Sequence, residues 1–134
     1  MGIEDVRNEF NECGDFQRIL LRYAQYMLVQ ISQTAVCNRL HTVEQQFSRW
    51  MLINDDVHRG RELRMTHELV ANMLGVSRVS VSVTAGKFQK AGIIQYARGV
   101  IRITDRPGLE AVSCECYRAT VSHYDRLFGP VKIK

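Results

Sequence analysis

The stretch that most limits how this chain can fold is Thr66-His67-Glu68-Leu69-Val70-Ala71-Asn72-Met73-Leu74-Gly75-Val76-Ser77-Arg78-Val79-Ser80-Val81. Leu69, Val70, Met73 and Leu74 recur at helical spacing and give a first short helix one apolar face. Thr66 stands where its hydroxyl can accept a backbone N–H and cap that helix. Ala71 keeps the surface small where a second helix must approach. Gly75 follows where the chain has to turn sharply, and glycine takes a positive φ there without a Cβ penalty. Val76 can plug the corner, Ser77 can cap a second helix, and Val81 can anchor that helix on the first. These requirements are met in register, so the stretch reads as a helix-turn-helix corner, the shape that sets a helix in the DNA major groove.

The flanking segments extend the pattern. Asp15 to His41 reads as one long helix. Leu20, Met27 and Thr34 repeat every seven residues, and Ala24, Ile31 and Asn38 form a second row. Together they make an a/d seam suited to pairing with a second copy. Tyr23, Tyr26, Leu28 and Val29 widen the apolar surface, so the helix should also pack on another element. A short helix over Ile3 to Glu9 precedes it, broken near Cys13-Gly14. Thr42-Val43-Glu44-Gln45 has the form of a capping box and starts a new helix, with Val43, Phe47, Trp50 and Met51 as its buried stripe. The His41–Thr42 junction is a candidate hinge. Asn54 to Gly60 reads as a polar loop, and Arg64-Met65 as a short strand. The second corner helix should run from Arg78 to Lys90, with Val81 and Phe88 inward and Gly92 closing it. Ile93 to Tyr96 and Val100 to Ile103, around Ala97-Arg98-Gly99, form a hairpin wing with Arg98 at its tip. Asp105 caps a single last helix carrying Leu109, Val112, Cys116, Ala119, Tyr124 and Leu127.

Charge is informative by position. The net charge is only +4 over 134 residues. Between Val76 and Arg106, however, Arg78, Lys87, Lys90, Arg98, Arg102 and Arg106 face the single acid Asp105. That excess falls where phosphate contacts are needed. No run of about 18 apolar residues is present and the N-terminus lacks the features of a signal peptide, so a cytoplasmic protein with no membrane partner is expected. No Gly-rich phosphate loop precedes a helix and no His-x-x-x-His pair occurs, so no enzyme is expected. His41, His58, His67 and His123 read as surface or capping residues, and Asp55-Asp56 as a solvated turn. Cys13, Cys37, Cys114 and Cys116 are expected to be reduced thiols. Cys114-Glu115-Cys116 is half of a metal site at most, with no neighbouring His or Cys pair to complete about four ligands. No metal site and no cofactor is therefore expected.

This order of parts resembles the Crp/Fnr family of bacterial transcription regulators. The resemblance rests on the capped helix at Thr42, on Leu74-Gly75-Val76-Ser77-Arg78, and on Lys90-Ala91-Gly92-Ile93-Ile94 leading into the wing. The tail Cys114-Glu115-Cys116-Tyr117-Arg118 looks like one branch of that family. Such proteins join an effector-binding β-barrel, a long dimerisation helix and a C-terminal winged helix-turn-helix, and RNA polymerase is a further partner. This chain has no room for the barrel. Where family members often read bases with an Arg, Glu, Arg set, Arg78 keeps the first and Val79 and Val83 replace the others. Ile31-Ser32 stands in place of the Thr-Ser pair that contacts cyclic AMP in the type member, so the resemblance does not extend to that effector.

The expected architecture is mainly α with a small β-hairpin wing, a long dimerisation helix followed by a winged helix-turn-helix domain. Residues 1–41 form the dimerisation region, 42–110 the DNA-binding domain and 111–134 a C-terminal helix and tail. The expected function is sequence-specific binding of a palindromic operator in double-stranded DNA by a homodimer. The DNA-contacting candidates are Thr66, Ser77, Arg78, Ser80, Ser82, Thr84, Lys87, Lys90 and Arg98. The dimerisation candidates are Leu20, Ala24, Met27, Ile31, Thr34 and Asn38. Two alternatives stand beside this reading. One is a cysteine-based redox or metal sensor, with Cys37 placed to form a disulfide across a dimer. The other is a dimerising winged-helix module that binds protein, which would lack salt-sensitive affinity for random DNA.

Overall fold

The computed structural model describes residues 1–58 and 60–129. Helix α1 (Ile3–Asn11) is followed by α2 (Asp15–Leu40) and α3 (Val43–His58). Strand β1 (Leu63–Arg64) leads into α4 (His67–Leu74) and α5 (Arg78–Lys90). Strands β2 (Ile94–Ala97) and β3 (Val100–Ile103), then α6 (Arg106–Val112) and α7 (Glu115–Phe128), complete the described chain.

The long helix and the capping box form where the sequence places them. α2 ends at Leu40 with His41 as its extended C-cap. The Thr42 amide donates to Gln45 Oε1 at 3.0 Å, and the Gln45 amide donates back to Thr42 Oγ1 at 3.3 Å. This reciprocal pair satisfies two amides that the first turn of α3 leaves without helical partners.

The core is one cluster beneath the corner. Phe47, Met51 and Leu52 of α3 meet Val70 and Leu74 of α4, Val81, Ala85 and Phe88 of α5, and Leu109 of α6. Phe47 stacks on Phe88 with ring centroids 6.0 Å apart. The sheet closes one end, with strand order β1-β3-β2 and all pairings antiparallel. Leu63 and Tyr96 both oppose Ile101, and Leu63, Ile94 and Ile101 are buried. Burying each such side chain contributes about 1.5–3 kcal/mol. Because α5 spends one face on this cluster, its other face stays at the surface.

Three sequence expectations are corrected. Asn54 to His58 is the end of α3 and not a loop. Its polar side chains bond within the helix, Asn54 Nδ2 to the Trp50 carbonyl and His58 Nδ1 to the Asn54 carbonyl, both at 2.8 Å. The single last helix is two. Ser113 and Cys114 are both extended, ending α6 and capping α7. Finally, β1 makes the expected two-stranded wing a three-stranded sheet.

α7 is the second element that α2 packs on. Tyr26 meets Tyr124 edge-on at 5.3 Å and Phe128 at 6.3 Å. Arg49, buried in α3, reaches Thr34 Oγ1 at 3.3 Å and Gln30 Oε1 at 3.4 Å. These bonds tie the lower half of α2 to the core domain.

Candidate nucleic-acid interface

The corner is built by its caps. Thr66 Oγ1 accepts the Leu69 amide at 3.2 Å, and Ser77 Oγ accepts the Ser80 amide at 3.1 Å. Gly75 takes a left-handed conformation, φ +67°, and its amide bonds to the Ala71 carbonyl. The chain bends by 111° from α4 to α5. That lies within the ~90–120° of a helix-turn-helix.

α5 is two-faced. Val81, Thr84, Ala85 and Phe88 point inward, whereas Ser77, Arg78, Val79, Val83, Gly86, Lys87 and Lys90 are exposed. Val79 and Val83 are unusual in being 71% and 54% exposed, one helical turn apart. Gly86 continues that row, and a Cβ built there meets nothing within 4 Å. No packing among the described residues explains a glycine in mid-helix, where it costs about 0.5–1 kcal/mol relative to alanine.

The wing turns through Arg98 (φ 49°) and Gly99 (φ 76°). Two successive positive φ values match the twist of a two-residue hairpin turn, but arginine is a costly choice at the first. Arg98 is exposed. Among the described residues, Arg78, Lys90 and Arg98 are in no ion pair.

Several candidate residues are already engaged. Thr84 is 4% exposed inside the α5 core face, which removes it from the surface set. Lys87 pairs with Glu44 of α3, and Arg102 with Glu62. Ser80 Oγ lies 2.8 Å from Ser77 Oγ and so reinforces the cap. Ser82 Oγ lies 2.8 Å from His67 Nδ1. His67 stacks on Tyr96 at 4.2 Å, joining α4, α5 and the wing. Burial, then the charge of Arg78, holds this imidazole below its ordinary value of 6.5. His67, half-buried, is therefore a brace between these elements, a role that sequence spacing did not reveal.

Arg106 leaves the DNA-facing charge set. It pairs with Asp55, lies 2.6 Å from Asp56 Oδ1 and 3.1 Å from Glu110 Oε1, and donates to the Tyr117 hydroxyl at 2.7 Å. Tyr117 in turn donates to Asp56 Oδ2 at 2.8 Å. Burial is the largest single influence and opposes the Arg106 charge, but Asp56, Tyr117 and Asp55 together outweigh it and hold the guanidinium ionised. Burial and the same carboxylate push the Tyr117 phenol above its ordinary value. The acidic pair read as a solvated turn is thus the clasp of α3 to α6 and α7.

Along α2, Leu20, Met27 and Ile31 are 40%, 39% and 62% exposed, and Ala24 and Asn38 are exposed. Thr34 is half-buried and bonded to Arg49, so it serves the protomer's own packing. The cysteines bring a larger change. Cys37, His41, Cys114 and Cys116 come together, so the Cys-x-Cys half-site has the neighbours that sequence reading failed to find. The signal was the four-residue spacing of Cys37 and His41 across the end of α2, which keeps the last-turn thiol and the C-cap imidazole close together. Cys37 is fully buried against Cys114, closing it to a disulfide with a second copy. Burial, then Cys114 beside it, pushes the Cys37 thiol up to about 12.

Corner, exposed helix face and strand-paired wing together define a winged helix-turn-helix domain. The chain belongs to the Crp-like helix-turn-helix domain family, whose profile matches residues 36–112. Among solved structures, the fold is similar to that of a protein from Eubacterium rectale classed as a transcriptional regulator of the crp/fnr family. The TM-score is 0.61 at 20% identity, and the match covers 81% of this chain and 50% of that one. The chain thus spans about half the length of that protein. No curated protein matches it. Among the described residues, no single helix is long and apolar enough to cross a membrane.

Proposed function

We propose that the chain is the DNA-binding part of a transcription regulator that acts as a homodimer paired along α2. The twofold pair presents two α5 helices to half-sites about 34 Å apart in a palindromic operator. The exposed apolar row on α2, through Leu20, Met27 and Ile31, supports that pairing. Residues 1–41 then serve dimerisation and 42–110 DNA binding, while α7 (Glu115–Phe128), the C-terminal helix of the 111–134 segment, packs on α2; residues 130–134 of its tail lie outside the described residues.

The observation that carries the reading is the outer face of α5. It offers Arg78, Val79, Val83, Gly86 and Lys90, all exposed, and among the described residues neither cation is in an ion pair. Arg78 at the helix start is placed for a bidentate bond to guanine, worth about 1–3 kcal/mol of discrimination. Val79 and Val83 suit apolar contact with the thymine methyl group in the major groove. Gly86 lets the helix lie close to the duplex, and Lys90 and Arg98 grip phosphates.

Selection of bound sequences from random duplexes tests this. An inverted repeat with guanine and thymine fixed in each half is expected. Replacing the contacted thymine by deoxyuridine removes one methyl and weakens binding about fourfold, from ~0.8 kcal/mol per buried carbon. Val79→Ala or Val83→Ala should abolish that difference. No enriched sequence would refute the function. Indifference to deoxyuridine at every position would refute the role of the valines.

A further inference from the structure

Cys37 lies in the last turn of α2 and His41 is its C-cap, while Cys114 caps α7 and Cys116 sits in its first turn. Three thiol sulfurs and one imidazole nitrogen thus converge, all within 4.8 Å of one another. Cys37 Sγ is 3.6 Å from Cys114 Sγ, and Cys116 Sγ is 3.5 Å from His41 Nδ1. A tetrahedral zinc ion, with Zn–S about 2.3 Å and Zn–N about 2.0–2.1 Å, sets its donors roughly 3.5–3.8 Å apart. The four donors therefore need only small shifts to enclose one ion. A polynuclear iron–sulfur cluster spreads its ligands over several metal atoms and holds them farther apart.

A second observation points the same way. The other ring nitrogen of His41, Nε2, lies 3.1 Å from Glu115 Oε1. Its N–H donates to that carboxylate, which leaves the Nδ1 lone pair facing Cys116. A carboxylate orienting a histidine through its distal nitrogen is the usual outer partner of a metal-bound imidazole. Glu115 lies between the two cysteines in sequence, so one tripeptide supplies two ligands and the orienting group. The three sulfurs are buried, with Cys37 at 0%, Cys116 at 1% and Cys114 at 5% exposure. Four protein donors and no open position mark a structural site, not a catalytic one.

We propose that Cys37, His41, Cys114 and Cys116 form a mononuclear site for a thiophilic divalent metal of the zinc class, with Glu115 as the positioning residue for His41. Binding exchanges the three thiol protons, released to solvent, for three metal–sulfur bonds, and neutral His41 supplies the fourth. The ion staples the end of α2 to the start of α7 beside the His41–Thr42 junction. Metal occupancy thereby fixes how the long helix leaves the winged domain. This holds whether or not the chain binds DNA.

The test uses the full 134-residue chain, reduced and prepared without chelator. Elemental analysis should find about one zinc per chain, and thiol titration without denaturant should find only the exposed Cys13 reactive. Titration of the metal-free protein with Co²⁺ should give the intense visible bands of tetrahedral cobalt and a thiolate charge-transfer band, saturating at about one ion. Cys13→Ser should keep this spectrum, and Cys116→Ser should lose part of the charge-transfer intensity. Glu115→Gln should weaken affinity about 10–100-fold while keeping the tetrahedral spectrum, which a purely structural role would not do. Co²⁺ that stays octahedral with the wild-type chain overturns the proposal. So does a Cys37–Cys114 disulfide in protein handled without oxidant.

Discussion

Replacing Arg106 by glutamine should cost stability and leave the salt dependence of DNA binding unchanged. The guanidinium side chain is 31% exposed, and the carboxylates it holds, Asp55 and Asp56, are 12% and 27% exposed. Its removal strands two adjacent anions and frees the Tyr117 hydroxyl from one of its two partners. Breaking a fully buried pair costs about 3–5 kcal/mol. Partial exposure reduces this to about 2–3 kcal/mol, or roughly 10 °C in Tm for a domain of this size. Urea unfolding followed by the fluorescence of Trp50, the single tryptophan, reads the loss directly. Asp56→Asn in the same chain should recover part of it, because the two residues share one network. A cost below about 0.5 kcal/mol would refute the clasp. A salt slope shallower by about 1 per protomer would return Arg106 to the phosphate-contacting set.

Other perturbations separate stability from binding. Gly86→Ala meets no neighbour within 4 Å. It should raise stability by about 0.5–1 kcal/mol and weaken DNA binding; binding left intact would remove the close approach assigned to this position. Arg98→Asn relieves the positive φ of 49° at the wing tip. A gain of about 0.5–1 kcal/mol, with a salt slope reduced by about 1 per protomer, is expected, and an unchanged slope would mean that the wing does not touch phosphate. His67 has its pKa depressed by burial and Arg78. Between that depressed value and about 6.5 the unfolded chain binds more protons, so stability falls as pH drops through this window. His67→Asn should lose less stability than the wild type between about pH 7.5 and about pH 5; equal losses would dismiss the brace as a titrating element.

The corner was legible because each of its parts acts locally. Thr66, Gly75 and Ser77 bond within three or four residues of themselves, so their types and spacing carry the geometry. The same holds for the Thr42–Gln45 box. What escaped sequence reading depends on contacts between distant segments. Asn54 to His58 looks like a loop by polarity, but intrahelical side-chain bonds and Arg106, 50 residues away from Asp56, hold it helical. Thr84 is polar and reads as outward, yet the turn of α5 set by Val81, Ala85 and Phe88 carries it into the core. Lys87 carries the right charge for phosphate, and only the packing of α3 on α5 gives it Glu44 as a partner. The Cys and His donors are paired by the packing of α2 on α7, with Cys37 and Cys114 separated by 77 residues. The break at Ser113–Cys114 that lets this pair form carries neither glycine nor proline to announce it.

The central claim is that α5 and the wing grip duplex DNA through cations that are in no ion pair among the described residues. Fluorescence anisotropy of a labelled random duplex, titrated with this chain from low to physiological salt, measures that grip. Arg78, Lys90 and Arg98 on each member of a pair predict a log–log slope of about −5. No affinity at low salt, or a slope flatter than about −1, would contradict the account.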